Sequence, residues 1–271
     1  MGIYDQDIMQ SVARRSMTVF FLVDTSGSMY GAKIGTLNLA VEETIPELKT
    51  LSASNADAQT KVAVLKFDTD AEWITPAPVD IESFQWTQLN AGGLTAFGDA
   101  CFKLEQKLHK EAFMSDAAGN YAPVFILLSD GAPTDDFKVH LDKLKNNNWF
   151  KKGVRVAIAI GDDTIIDTLE EFTGSRETVL PVYSPEMLRK IIRFVSVTAS
   201  QVASKSSNVG QQTAPDQTTT KQQDFIDALN QSSIMQPADD GSDLGQGFDA
   251  RNQASVMQPA DDGSDLGDVE W

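Results

Sequence analysis

Five oxygen-bearing side chains stand out by type and placement. Asp24-Thr25-Ser26-Gly27-Ser28 spaces a carboxylate and two hydroxyls at i, i+2 and i+4; Thr95 follows Gly92-Gly93-Leu94; and Asp130 lies in Ser129-Asp130-Gly131. In a tight turn leaving a buried strand, alternate side chains can converge on one point, and Gly27 lets the backbone bend there. The set contains oxygen donors only, with no imidazole and no thiolate. That is the inventory of a hard cation, Mg2+ first, with Mn2+ or Ca2+ as alternatives. Two formal negative charges and several neutral hydroxyls leave such an ion electrophilic and ready for an acidic ligand from a partner. The bland reading is a Ser/Asp-rich turn that caps a helix. Thr95 and Asp130 complete the donor set and favour the metal.

The remaining reactive residues add little. The single cysteine, Cys101, excludes an intramolecular disulfide and a cysteine zinc cluster, and it reads as a small buried residue. His109 and His140 supply at most two ligands and sit in predicted helical stretches, where packing or surface positions are expected. Asp99 is one helical turn past Thr95 and favours a helix N-terminus electrostatically. Asp162-Asp163 follows a strand, with Asp163 expected to cap the next helix.

Positioning these residues requires strands that end where the loops begin. Thr18–Val23 is a continuous apolar run, the signature of a strand buried on both faces. Helical spacing follows over Ile34–Leu51, then a strand at Val62–Phe67 and another at Ala71–Val79, where Pro76 and Pro78 suit a sheet edge. A helix is predicted over Phe97–Ala112, a strand over Pro123–Leu128, a helix over Asp136–Asn146 and a strand over Val154–Ile160. Thr164–Phe172 reads as a short helix and Thr178–Tyr183 as the last strand, and Ser184-Pro185 opens the final helix with an N-cap and a proline at its first position. The alternation predicts an α/β fold: a doubly wound, mostly parallel six-stranded sheet with helices on both faces. In such sheets ligands bind beyond the carboxyl ends of the strands, which is where Asp24, Thr95 and Asp130 fall.

The 271 residues carry 22 basic and 39 acidic side chains, a net charge of −17. Phosphate backbones and anionic lipid repel such a chain, so neither nucleic-acid binding nor a membrane role is expected. No apolar run reaches the roughly 18 residues of a membrane span. The acidic start Met1–Gln10 lacks the pattern of a secretory leader, and Gln6 stands where a myristoylation signal has Ser or Thr. A cytoplasmic location is the expectation.

Composition changes after Ala203. Residues 1–16 read as an N-terminal extension, 17–203 as the globular domain, 204–226 as a polar linker, and 227–271 as an acidic, disordered tail. Residues 204–271 hold 3 basic and 12 acidic side chains, so a quarter of the chain carries more than half of its net negative charge. The tail repeats itself: Asp227–Gly245 recurs as Asp249–Gly267 with a 22-residue period, differing only at Leu229/Arg251, Ser232/Ala254 and Ile234/Val256. Two copies are too few for a solenoid and fit a short docking or modification motif shown twice, or a neutral duplication. Asp239, Asp240, Asp261 and Asp262 could supply a carboxylate to a metal, and Ser242, Ser264 and Thr218–Thr220 are hydroxyls a kinase could reach.

Asp24-Thr-Ser-Gly-Ser28 with Thr95 and Asp130 resembles the metal-ion-dependent adhesion site of von Willebrand factor A domains, over about residues 17 to 200. The resemblance implies that Ser26, Ser28 and Thr95 coordinate the ion directly, while Asp24 and Asp130 hold it through water or alternate with Thr95. Within that family, the compact form is similar to bacterial TerY-like proteins of tellurium-resistance and stress clusters. That resemblance implies a protein kinase and a PP2C-type phosphatase as partners.

The first functional expectation is a non-enzymatic scaffold whose Mg2+ recruits an acidic partner side chain. A Mg2+-dependent phosphohydrolase is the alternative. It would need a positioned nucleophile or base and cationic groups, and the three site loops contain no Lys or Arg. A co-subunit of an AAA+ chelatase-like motor would use the same metal chemistry with another chain's ATPase.

Overall fold

Nine of the ten residues of β1 (Arg15–Asp24) are buried, which places this strand mid-sheet with both faces covered. The computed structural model describes residues 14–56, 58–161, 166–204, 218–232 and 234. Strand β1 pairs in parallel with β2 (Ala58–Phe67) on one side. On its other side lies β5 (Val124–Ser129), followed in parallel by β6 (Val154–Ile160) and β7 (Val179–Val182). Two short strands, β3 (Ala71–Trp73) and β4 (Val79–Asp80), run antiparallel against β2. The order is β3-β2-β1-β5-β6-β7, with β4 also on β2, so the sheet is mixed but mostly parallel.

Seven strands replace the expected six because Ala71–Val79 does not run through as one. Pro76 and Pro78 lack amide donors and restrict their neighbours, so the ladder breaks between β3 and β4. Thr75 bridges the gap by accepting the Val64 N–H through its hydroxyl at 2.9 Å. At the other boundary, Arg15 and Ser16, assigned from sequence to the extension, are already in β1.

Period-two alternation along β1 divides the core into two layers. Met17, Val19, Phe21 and Val23 pack with α1 (Ala32–Ser54) and α6 (Pro185–Ser204), through Leu37, Val41 and Leu48 and through Leu188, Ile192 and Val195. Phe20 and Leu22 face the opposite layer with α2 (Phe97–Lys107), α3 (Phe137–Asn146) and α5 (Ile166–Thr173). Ser184 caps α6 as its sequence predicts, accepting the Met187 N–H at 3.2 Å.

Helix α2 stops at Lys107 rather than Ala112, because Leu108, Phe113 and Met114 all turn inward and the Asn147 amide takes the Leu108 carbonyl at 3.1 Å. His109 therefore lies in a turn, not a helix. Asn147 also starts the unpredicted helix α4 (Asn148–Lys152), its side-chain oxygen accepting the Trp149 N–H at 2.8 Å.

The largest departure from the sequence reading lies past residue 217. Helix α7 (Thr218–Gln231) crosses the boundary set at 226/227 between linker and tail, and it includes Thr218–Thr220. It is docked: Phe225 is fully buried, and Ile226 and Leu229 are nearly so. Three apolar side chains among polar neighbours gave too short a pattern to register as a helix, yet they suffice once α6 and β6 supply the opposing surface.

Gln222 explains the register of that docking. Strand β7 begins opposite Ala157, so the backbone N–H and C=O of Arg155 have no strand to pair with on that side. Gln222 takes both, accepting the N–H at 2.8 Å and donating to the carbonyl at 2.9 Å. Its amide also reaches the Thr178 hydroxyl at 3.1 Å. Gln222→Ala should therefore cost about 1–3 kcal/mol, the cost of leaving buried polar groups unpaired. Urea denaturation reads this, and an unchanged midpoint would contradict it. Through α7 the first repeat copy begins on the domain. One period later the positions of Phe225, Ile226 and Leu229 hold Gly247, Phe248 and Arg251, so the second copy repeats one of the three apolar positions.

Candidate metal centre

Strands β1 and β5 are neighbours whose chains continue to opposite sides of the sheet, which makes the gap between their carboxyl ends a topological switch point. Asp24 closes β1, and Asp130 follows Ser129, the last residue of β5. The third loop is stitched to the first: Gly92 N–H donates to Thr25 C=O at 2.8 Å, and Gly27 N–H donates to Gly93 C=O at 3.1 Å. Gly93 has φ +82°, and a Cβ there would collide with the Thr69 hydroxyl, so glycine is required at this crossing.

Four of the five expected residues form one hydrogen-bonded cluster. The Asp24 carboxylate accepts the Ser26 N–H at 2.9 Å on one oxygen and the Ser129 hydroxyl at 2.6 Å on the other. The Ser26 and Ser28 hydroxyls are 3.1 Å apart, and Ser28 donates to Asp130 at 2.7 Å. Thr95 comes from the third loop and shares with Ser129 and Gly131 the lining of a tight crevice walled otherwise by Phe97, Leu127, Pro133, Thr168 and Leu169, which none of the other four residues lines. It is held there by Thr134, whose hydroxyl accepts its N–H at 3.0 Å and whose N–H donates to its carbonyl at 2.9 Å. Asp24, Ser26, Thr95 and Asp130 are buried, while Ser28 is exposed and marks the open side. Burial pushes the Asp24 carboxyl above its usual range, and the nearby Asp130 charge adds to this against the opposing hydrogen bonds from Ser129 and Ser26.

Sequence reasoning missed two residues, the Ser129 hydroxyl that holds Asp24 and Lys33. The loops hold no cation, but Lys33 in the first turn of α1 places its ammonium 2.5 Å from the second Asp130 oxygen. A basic residue five positions after Ser28, just inside a helix, was the signal available.

The other candidates lie elsewhere. Asp99 accepts the Ala71 N–H at 2.8 Å and pairs with Lys103, tying α2 to β3 rather than serving the site. The Cys101 thiol is fully buried and its pKa is pushed well up by that burial, as expected for an inert packing residue. His140 sets its ring edge-on to Phe102. Asp162, Asp163, Asp239, Asp240, Ser242, Asp261, Asp262 and Ser264 lie outside the described residues. Among the described residues no three His, Cys, Asp or Glu side chains gather as a metal cluster. A metal at the strand ends must therefore draw on hydroxyls. The donors present fit a hard, oxygen-preferring ion and do not fit one that requires nitrogen or sulfur.

Residues 18–190 match the von Willebrand factor type A domain. The chain belongs to that family. No curated protein gives a significant match by sequence. Among solved structures, this von Willebrand factor A chain is similar to proximal thread matrix protein 1 from the mussel byssus, with TM-score 0.52, 18% identity and coverage of 69% of this chain and 48% of the other. It is also similar to the pilus adhesin SpaC from Lactobacillus rhamnosus GG, with TM-score 0.52, 13% identity and coverage of 69% and 30%. A third is the PilB minor pilin from Streptococcus sanguinis, with TM-score 0.50, 16% identity and coverage of 74% and 64%. The chain thus spans less than two thirds of each of these proteins, and the likeness is one of fold. Among the described residues no helix is long and apolar enough to cross a membrane.

Proposed function

We propose that this von Willebrand factor A domain is a metal-dependent protein-interaction module. The observation that carries the reading is the oxygen cluster of Asp24, Ser26, Ser28 and Asp130, with Thr95 beside it, gathered at the switch point. These five residues would hold Mg2+, or Mn2+ or Ca2+ in its place. The ion supplies Lewis acidity toward an acidic side chain of a partner protein. The chain's own part is to keep the donors in place: Ser129 and the Ser26 amide fix Asp24, and Thr134 fixes the Thr95 backbone.

The surround suits a protein partner. Tyr30, two residues past Ser28, is 79% exposed, and Leu94, next to Thr95, is 57% exposed. Apolar side chains in the open beside a charged centre supply contact area that a small ion does not need.

The finer reading is a cytoplasmic scaffold of a bacterial stress or signalling system resembling the TerY type, with a protein kinase and a PP2C-type phosphatase as partners. The support for it is the resemblance carried by Asp24-Thr-Ser-Gly-Ser28, Thr95 and Asp130; the acidic repeats lie outside the part that is shared. Residues Asp239, Asp240, Ser242, Asp261, Asp262 and Ser264 would be docking or modification points for such enzymes.

The phosphohydrolase reading gains one cation in Lys33, but that ammonium already neutralises Asp130. Co-purification from the native host in Mg2+, in EDTA, and with Asp24→Ala separates the readings. Metal-dependent capture of a kinase, phosphatase or AAA+ subunit, lost in EDTA and in the variant, is the expected result. Turnover of a phosphate ester that disappears in Asp24→Ala would instead make the chain an enzyme.

A further inference from the structure

Lys33 is built into the centre rather than lying across it. Gly31, at φ +83°, turns the chain into α1, and Lys33 then spans to the far side of the site. Its side chain is 21% exposed and that of Asp130 only 1%. The Lys33 stem runs beside Gly161, just past β6, where an added Cβ would be in contact with its Cε and Nζ at 3.4 Å. Asp130 is thereby engaged on both oxygens, by the Ser28 hydroxyl on one and by the ammonium on the other.

A buried carboxylate without a counter-charge is costly, so the ammonium keeps the centre assembled when no other cation is near. A divalent ion entering the same donor set meets that positive charge at short range and competes for the same carboxylate. We propose that Lys33 is a tethered cation that competes with the divalent metal for Asp130 and so sets how tightly the metal is held. Lys33 is here a positioning and affinity-setting residue, and the proposal rests on the metal reading above.

The test is calorimetric titration of the full chain with MgCl2 and with MnCl2, alongside thermal denaturation with and without each salt. Lys33→Met keeps the stem and removes the charge, and Lys33→Arg keeps the charge. Lys33→Met is expected to bind metal about tenfold or more tightly than the unaltered chain. Its metal-free melting temperature should fall and its metal-induced rise should be larger. Lys33→Arg should stay within about threefold of the unaltered affinity, since it retains the repulsion. Should Lys33→Met not fold, Lys33→Gln replaces it with the same expectations. Unaltered or weaker binding in the neutral variant, while the unaltered chain binds metal, would overturn the role of Lys33 alone. Absence of binding in the unaltered chain and in both variants would overturn the metal reading and this proposal together.

Discussion

Asp24→Ala is expected to eliminate divalent-metal binding, with a loss of affinity exceeding about 100-fold. Losing a merely orienting group around a metal costs about 10–100-fold, and Asp24 both orients donors and contributes charge. Its carboxylate fixes the Ser26 amide and the Ser129 hydroxyl, so its removal frees two of the loops that meet here. The effect on stability is smaller and two-sided. Unpairing those buried donors costs about 1–3 kcal/mol each, but the variant also removes a buried carboxylate that desolvation and the nearby Asp130 disfavour. Asp24→Asn separates the two: its amide oxygen can still accept the Ser26 N–H, while its NH2 can donate to the Ser129 hydroxyl, which turns to accept, so the variant should keep most of the stability and still fail to bind metal. Calorimetry with Mg2+ or Mn2+ on both variants checks this, and retained affinity in Asp24→Ala would remove Asp24 from the centre.

Phe225→Ala should destabilise the domain by about 3–5 kcal/mol, the range for emptying a fully buried aromatic position. Phe225 is wholly inside, packed in the same layer as the α1 and α6 side chains, and Leu229 joins it one turn later. Once the ring is lost, Gln222, Ile226 and Leu229 must hold α7 in place. Urea unfolding of the full chain reads the cost, and a change below about 1 kcal/mol, typical of an exposed site, would mean that α7 does not belong to the core. Arg251→Leu gives the second repeat copy one of the two anchors it lacks, but Gly247 still stands at the position of Phe225. It should leave stability within about 0.5 kcal/mol.

Most of the fold was legible because the central strands are extreme in composition. Thr18–Val23 and Pro123–Leu128 are short runs of almost wholly apolar residues, Val154–Ile160 is one broken only by Arg155, and strands lie at all three places. What escaped was set by tertiary partners. The break between β3 and β4 depends on the Thr75 hydroxyl substituting for a backbone group, and the early end of α2 depends on Asn147, 39 residues away, capturing a carbonyl. Helix α7 is invisible as a pattern because its stabilising contacts belong to other elements.

The candidate site divides the same way. The residue types and strand-end positions of Asp24, Ser26, Ser28, Thr95 and Asp130 were readable, since each follows a strand or precedes a helix. Lys33 was not, because a lysine in a first helical turn is usually a solvated surface residue, and the turn at Gly31 that starts α1 toward Asp130 has no signature in the spacing of the donors. The Ser129 hydroxyl was likewise passed over as the end of a strand, although it holds the most buried carboxylate of the centre.

The central claim is that these five side chains hold one divalent ion. Crystals of the full chain grown with MnCl2, examined by anomalous scattering, test it most directly. A single strong manganese peak is expected among Asp24, Ser26, Ser28, Thr95 and Asp130, absent from crystals of Asp24→Ala. A map with no peak there, or with manganese bound only elsewhere on the acidic surface, would contradict it.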